Sequence, residues 1–202
     1  MIISWFFHSC FKLESDGYSI VVDPFDEVSG YPEPQLNANA VFASHDHHDH
    51  NNIEAVTIDS HIGEPKIKVN TIPCFHDTNM GKDRGNNLIH IFEAEGMRVA
   101  HLGDLGHVLT DEQVNALKHC DALLIPVGGF YTIDAKAAYE ICQKVEPRVI
   151  VPMHYQYGGR GLKQIASPEE FLDLFPSEMI KVYDKPVIEL TPETEAHIAF
   201  LG

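Results

Sequence analysis

His45-Asp46-His47-His48-Asp49-His50, directly after the apolar run Ala40-Val41-Phe42-Ala43, decides how this chain is read. The run reads as a strand end and the polar hexad as the loop it delivers. His45 and His47 are two apart, so in an extended segment both imidazoles point to the same side. Asp49 and His50 follow at once, where a turn can aim them at a second position. Clustered imidazoles and carboxylates with no thiolate nearby suit zinc, manganese or iron rather than a cysteine-based structural zinc.

Working outward, three more segments repeat one design: a ligand-type residue on the loop leaving a predicted strand. His76 follows the run Ile67–Ile72. Asp104 sits in His101-Leu102-Gly103-Asp104-Leu105-Gly106-His107, where two glycines let the backbone turn tightly. His154 closes Val151-Pro152-Met153-His154. Open α/β folds place their sites at such strand ends. Two divalent ions account for the set. One would take His45, His47 and His76, and the other Asp49, His50 and His154, with Asp104 bridging both. Ions about 3.5–4 Å apart can hold a bridging hydroxide by bringing the pKa of water near neutral. Asp49 is then also the expected catalytic group, orienting that nucleophile or relaying its proton.

The rest of the chain sets limits. Its 202 residues read as one domain, 1–202, with 44% apolar and 22% charged residues, ordinary for a globular protein. A net charge of −16 argues against stable nucleic-acid binding and against an anionic membrane surface. No stretch approaches the roughly 18 apolar residues of a membrane span. Met1–Phe7 lacks the basic start and cleavage site of a signal peptide, so it reads as the first strand, and a cytoplasmic location is expected. Cys10, Cys74, Cys120 and Cys142 form no CxxC pair and read as reduced, mostly buried thiols.

Strands are expected at 2–7, 11–14, 18–22, 41–44, 67–72, 87–93, 97–101, 122–127 and 149–152, with final strands within 181–201. Asp16-Gly17 and Glu95-Gly96 read as hairpin turns, and 25–39 as an irregular loop. Helices are expected from the capping box at Thr110–Gln113, over 134–145, and from Ser167-Pro168-Glu169-Glu170. Strands dominate the first half and strand-helix-strand units the second. A four-layer αββα sandwich is the economical α/β answer.

The ordered pattern HxHxDH, His, Asp, His resembles the metallo-β-lactamase fold superfamily of metal-dependent hydrolases. The resemblance covers nearly the whole chain. It is greatest to a branch of small prokaryotic hydrolases that includes L-ascorbate-6-phosphate lactonase. The matching segments are Trp5–Phe11, His45–His50, His101–His107, Pro126–Thr132 and Pro152–Tyr155. It implies an αββα sandwich with a dinuclear site at one sheet edge, and the ligand roles above agree with the carry-over. It also makes a homo-oligomer an expectation. His47 stands where flavodiiron-type members carry a carboxylate, which argues against redox use. Phe7 stands where a small residue is usual.

Substrate contacts are expected from His8, from Lys82 and Arg84 on the loop after His76, and from backbone amides at Gly128 and Gly129 that could face an anion. His107, Arg160 and Lys163 are weaker candidates. His48, His61, His90, His101, His119 and His197 read as structural or surface histidines. The expected activity is hydrolysis of a small anionic ester, lactone or phosphodiester, with zinc the first choice of metal and manganese or iron also fitting. The rival readings are a nucleic-acid phosphodiesterase and a non-catalytic metal-binding regulatory protein.

Overall fold

Two tight turns set the plan of the fold. Asp16-Gly17 (φ 48° and 74°) and Glu95-Gly96 (φ 54° and 75°) each supply the pair of positive φ angles that type I′ hairpins require. The computed structural model describes residues 1–59 and 64–202, so His61 lies outside the described residues. The chain opens with β1 (Ile2–Trp5) and β2 (Phe11–Ser15), and the first turn leads into β3 (Tyr18–Val22). Next come β4 (Leu36–Ala38), β5 (Ala40–Phe42), β6 (Val56–Ile58), β7 (Lys68–Phe75) and β8 (Asn86–Ala94). The second turn leads into β9 (Met97–His101), then α1 (Asp111–Leu117), β10 (Ala122–Pro126), α2 (Ala135–Val145) and β11 (Val149–Met153). The one-turn helix α3 (Glu169–Leu172) precedes β12 (Ile180–Val182), β13 (Val187–Glu189) and β14 (His197–Phe200).

The strands form a five-stranded sheet, β13-β1-β2-β3-β5, and a seven-stranded sheet, β12-β14-β11-β10-β9-β8-β7. Their facing sides share one core, in which Ile3, Phe11 and Leu13 meet residues such as Ile89, Val99 and Leu123. Every residue of β10 is buried, as its unbroken apolar sequence implied for a strand covered on both faces. Helix α2 buries Ala135, Ala138, Ile141, Cys142 and Val145, a stripe at helical spacing in the same core. Helix α1 carries the expected capping box between Thr110 and Gln113.

Alternation along β3 divides its side chains between two cores. Tyr18, Ile20 and Val22 enter the main one, and Val21 points the other way, into a smaller cluster with Cys10, Phe25, Val28, Leu36 and Val56. This second cluster explains a departure from expectation. The segment 25–39 is not wholly irregular: it contains β4, which pairs in parallel with β6 through Leu36–Val56 and two further positions. The outer cover of the five-stranded sheet is thus built largely from loop and short strands.

Two other elements differ from the sequence reading. Strand β7 runs through Pro73 instead of stopping before it. β7 is an edge strand, and the Pro73 carbonyl accepts from Gln113 Nε2 at 3.0 Å, away from β8. The missing N–H therefore faces outward, where no ladder bond is lost. Helix α3 spans one turn only, and its N-cap is Pro168, with no side-chain cap from the expected box. Among the described residues, no helix is long and apolar enough to cross a membrane.

Phe25 is fully buried at the centre of the small cluster. Phe25→Ala is expected to cost about 3–5 kcal/mol of unfolding free energy. It should lower the urea midpoint without changing the slope. An unchanged midpoint would show that the 25–39 segment contributes little to the global fold.

Candidate metal centre

Loops leaving β1, β5, β7, β9 and β11 converge at one edge of the two sheets. After β5 the chain turns, with the amides of His50 and Asn51 both donating to the His47 carbonyl at 2.9 Å. The His45 ring centroid lies 4.5 Å from that of His47 and 4.7 Å from that of His76. Ligand atoms of His45, His47 and His76 fall within 4.8 Å of one another, and so do those of His8, Asp49, His50 and His154. Asp104 stands between the two groups. Its Oδ1 is 3.2 Å from His50 Nε2, and its Oδ2 is 3.3 Å from His76 Nε2 and 3.2 Å from His154 Nε2.

This donor set fits divalent cations. Buried nitrogens His45 Nε2, His50 Nε2 and His154 Nε2, together with Asp104 Oδ1, have no hydrogen-bond partner among the described residues. Leaving such atoms unpaired is expensive. Two donors about 2.1 Å from one tetrahedral ion lie about 3.4 Å apart, close to the separations around Asp104. Burial, reinforced by His50, pushes His45 down to about 3. Burial, reinforced by His154, pushes His8 down to about 4. Both rings therefore keep a free lone pair at neutral pH, as metal ligation demands. Burial works to raise Asp104 and Asp49, but the histidines around them win and hold both below the usual carboxylate range. His50 is driven the other way: burial would lower it, yet Asp104 and Asp23 on its two sides raise it well above an ordinary imidazole. The site is built around positive charge.

The residues behind the site were not all visible in sequence. Asp23, which directly follows the expected strand 18–22, is fully buried. It accepts from the Ser44 amide at 2.6 Å and the Ser44 hydroxyl at 2.7 Å, and pairs with His50 Nδ1 at 2.8 Å. Ser44 Oγ in turn lies 2.9 Å from His45 Nδ1. One carboxylate thus orients two imidazoles, leaving their Nε2 atoms to the site. The signal was present: Asp23 ends a strand, as the other site residues do. Asn87 accepts from the Asp104 amide at 3.0 Å and donates to the Leu102 carbonyl at 2.9 Å. A β-carbon at Gly103 would collide with Asn87 and Ser44, and one at Gly106 with the His76 backbone. These glycines let the Asp104 loop lie directly on its neighbours.

A pocket of about 350 Å³ opens over the centre, lined by His47, His48, Asp49, His76, Arg84, Asp104, Tyr131 and Leu162. Of the two loop cations, Arg84 reaches this pocket and Lys82 does not; Lys82 is exposed. The loop is held by Asp77, whose buried carboxylate accepts the amides of Asn79, Gly81, Asp83 and Arg84 at 2.7–3.1 Å. The amides expected at Gly128 and Gly129 lie in a tight turn. The Gly129 amide donates to Ile133 O at 3.2 Å, and Gly128 is packed so closely on the His154 carbonyl that no β-carbon fits. His48, exposed as expected, nevertheless lines the pocket. His107 accepts from the Phe75 amide and has a structural role at the end of β7. His90, His101 and His197 bond to backbone carbonyls, and His119 lies at the surface beside Glu146. All four cysteines are free and buried, and burial raises Cys74 to about 11.

The architecture and the site define a class, a metallo-β-lactamase-type hydrolase centre on a two-sheet sandwich. The family model described as the beta-lactamase superfamily domain matches residues 2–154. The chain belongs to that superfamily and is a metal-dependent hydrolase. A UPF0173 metal-dependent hydrolase of Methanopyrus kandleri is 24% identical over 195 residues, covering 77% of this chain and 84% of that protein. A UPF0173 protein of Pyrococcus furiosus is 28% identical over 197 residues, covering 85% and 89%. A crystal structure from Thermotoga maritima, described as a candidate Zn-dependent hydrolase of the metallo-β-lactamase superfamily, is 35% identical. It covers 99% of this chain and 97% of its own, with a TM-score of 0.78.

Asp23→Asn should lower metal affinity about 10–100-fold in a calorimetric titration, with the apo fold retained; unchanged affinity would remove Asp23 from the centre. Asp77 gives a pH-dependent expectation. Burial opposes its ionisation, but the four amides, Arg84's first, hold it below the usual carboxylate range. A depressed folded pKa means stabilisation present above the unfolded value of about 4 and lost as pH falls through the folded value. The stability gap between wild type and Asp77→Ala should therefore be full at pH 7 and shrink below about pH 4, measured by urea melts.

Proposed function

We propose that this chain hydrolyses a small anionic ester, lactone or phosphodiester at a two-ion centre. The observation that carries the reading is Arg84. In a chain of net charge −16, its guanidinium forms no ion pair among the described residues. It lies 5.7 Å from the Tyr131 ring centroid and lines the same pocket as His47, Asp49, His76 and Asp104. An unpaired guanidinium beside a metal centre is a ready bidentate partner for a carboxylate or phosphate.

In this reading His45, His47 and His76 would hold one ion and Asp49, His50 and His154 the other, with Asp104 placed between the two groups. Bound divalent ions supply Lewis acidity and bring the pKa of water toward neutrality. The chain's own groups do the rest. Arg84 fixes the anionic part of the substrate, and Tyr131 and Leu162 wall the pocket against bulk water. Asp49 takes the proton of the attacking water and returns it to the leaving oxygen. A new bond from the water oxygen to carbon or phosphorus forms as the ester bond breaks. A phosphorylated lactone fits among the substrates, because its phosphate would meet Arg84.

The test is turnover of a chromogenic phosphodiester and of a phosphorylated lactone by zinc- or manganese-loaded protein. Chelation should abolish the rate and metal should restore it. Arg84→Ala should raise KM about 10-fold or more for anionic substrates with kcat little changed, the loss of a charge-assisted pair. Lys82→Ala should change neither. Asp104→Ala should lose one ion per chain together with turnover. Protein shown to hold metal yet inactive on every ester class would overturn the proposal.

A further inference from the structure

His8 is 1% exposed; its Nδ1 has no hydrogen-bond partner among the described residues, and its Nε2 makes no well-aligned bond, facing the Asp49 carboxylate instead. A histidine buried for packing alone bonds at least one nitrogen, as His90 does to the Ala43 carbonyl and His101 to the Ser9 carbonyl. His8 instead turns its ring into the site. Its Nε2 is 3.4 Å from Asp49 Oδ2, and its ring centroid is 4.3 Å from that of His154 and 5.1 Å from that of His50. Ligand atoms of His8, Asp49, His50 and His154 all fall within 4.8 Å of one another. The four thus form one compact donor group of the kind that could hold a single ion.

The backbone is bent to put the ring there. Phe7 and His8 take φ of 72° and 51°, successive left-handed angles in residues that carry a β-carbon. Several bonds lock this shape. Phe6 N donates to Cys10 O at 2.8 Å, Cys10 N to Phe7 O at 2.9 Å, and Trp5 Nε1 to His8 O at 3.0 Å. The His154 amide also donates to His8 O at 3.3 Å, tying His8 directly to a residue of the second ligand group.

We infer that His8 is a further protein donor to the ion held by Asp49, His50 and His154. The inference rests on the two-ion reading above. It makes the centre asymmetric: the ion on the buried side has more protein donors, and the ion at His45, His47 and His76 has fewer.

The experiment titrates apo protein with cobalt(II), followed by calorimetry and visible absorption. His8→Asn is the first variant, because Asn tolerates left-handed backbone; His8→Ala is the second. Wild type is expected to take two ions per chain. Each variant should bind one of them about 10-fold or more weakly, with a changed absorption band for that ion and the other affinity intact. The apo melting temperature of His8→Asn should stay near that of wild type. Unchanged affinities and spectrum, whatever happens to the apo melt, would overturn the inference while leaving the two-ion reading standing. Fewer than two ions on wild type would overturn both, and is seen before any substitution. A readout on the unaltered chain covers variants that do not fold. On zinc addition the His8 ring-nitrogen signal should shift in nitrogen-15 spectra, and a stationary signal overturns the inference.

Discussion

Three carboxylates, Asp23, Asp49 and Asp104, lie together at one sheet edge with 0%, 9% and 2% of their surface exposed. Buried charge is tolerated only when it is paired and hydrogen-bonded. Asp23 meets that condition within the protein, through Ser44 and His50. Asp49 and Asp104 meet it only in part, facing Nε2 atoms of His8, His50 and His154 that themselves lack hydrogen-bond partners among the described residues. The folded chain therefore concentrates unsatisfied donors and negative charge at one point, and cation binding relieves both at once. Metal loading and stability are coupled by the same atoms.

The scaffold meets this constraint by division of labour. The two sheets and the helices beside them supply a rigid apolar body, and almost every polar group of consequence sits on a loop just past a strand. Precision comes from backbone contacts between those loops. The Asp104 loop runs across to β7, where the Gly106 amide donates to the Phe75 carbonyl and the Phe75 amide donates to His107. The His154 amide reaches the His8 carbonyl. The Asp104 and His154 loops are thereby held by neighbours from other strands.

The site residues from His45 to His154 were legible because each carries its chemistry in its side chain and follows a recognisable apolar run. The supporting residues were less so. Asp23 and Asn87 look like ordinary strand-flanking polar residues until the fold shows what they face. Lys82 and Arg84 are equivalent in sequence, and only the wrap of the loop around Asp77 separates the exposed one from the one in the pocket. Gly128 and Gly129 offered amides in principle, but a turn that uses the Gly129 amide internally cannot be read from two glycines. Strand β4 was hidden because Leu36–Ala38 is three residues long and pairs with an equally short partner. The extension of β7 through Pro73 was not legible for a definite reason: whether a proline ends a strand depends on which side its nitrogen faces, and that is a property of the sheet.

Pro73 has a second effect. The seven-stranded sheet ends at β7 on one side and at three-residue β12 on the other, and the five-stranded sheet ends at three-residue β5 and β13. The one long border strand lacks an amide hydrogen at Pro73, two residues before its end, and that end is already bonded to the Asp104 loop. None of these four borders offers a continuous row of free backbone groups to a foreign strand. Short or interrupted borders of this kind disfavour strand addition. A second copy approaching edge to edge would find the longest border, β7, interrupted at Pro73 and closed at Phe75.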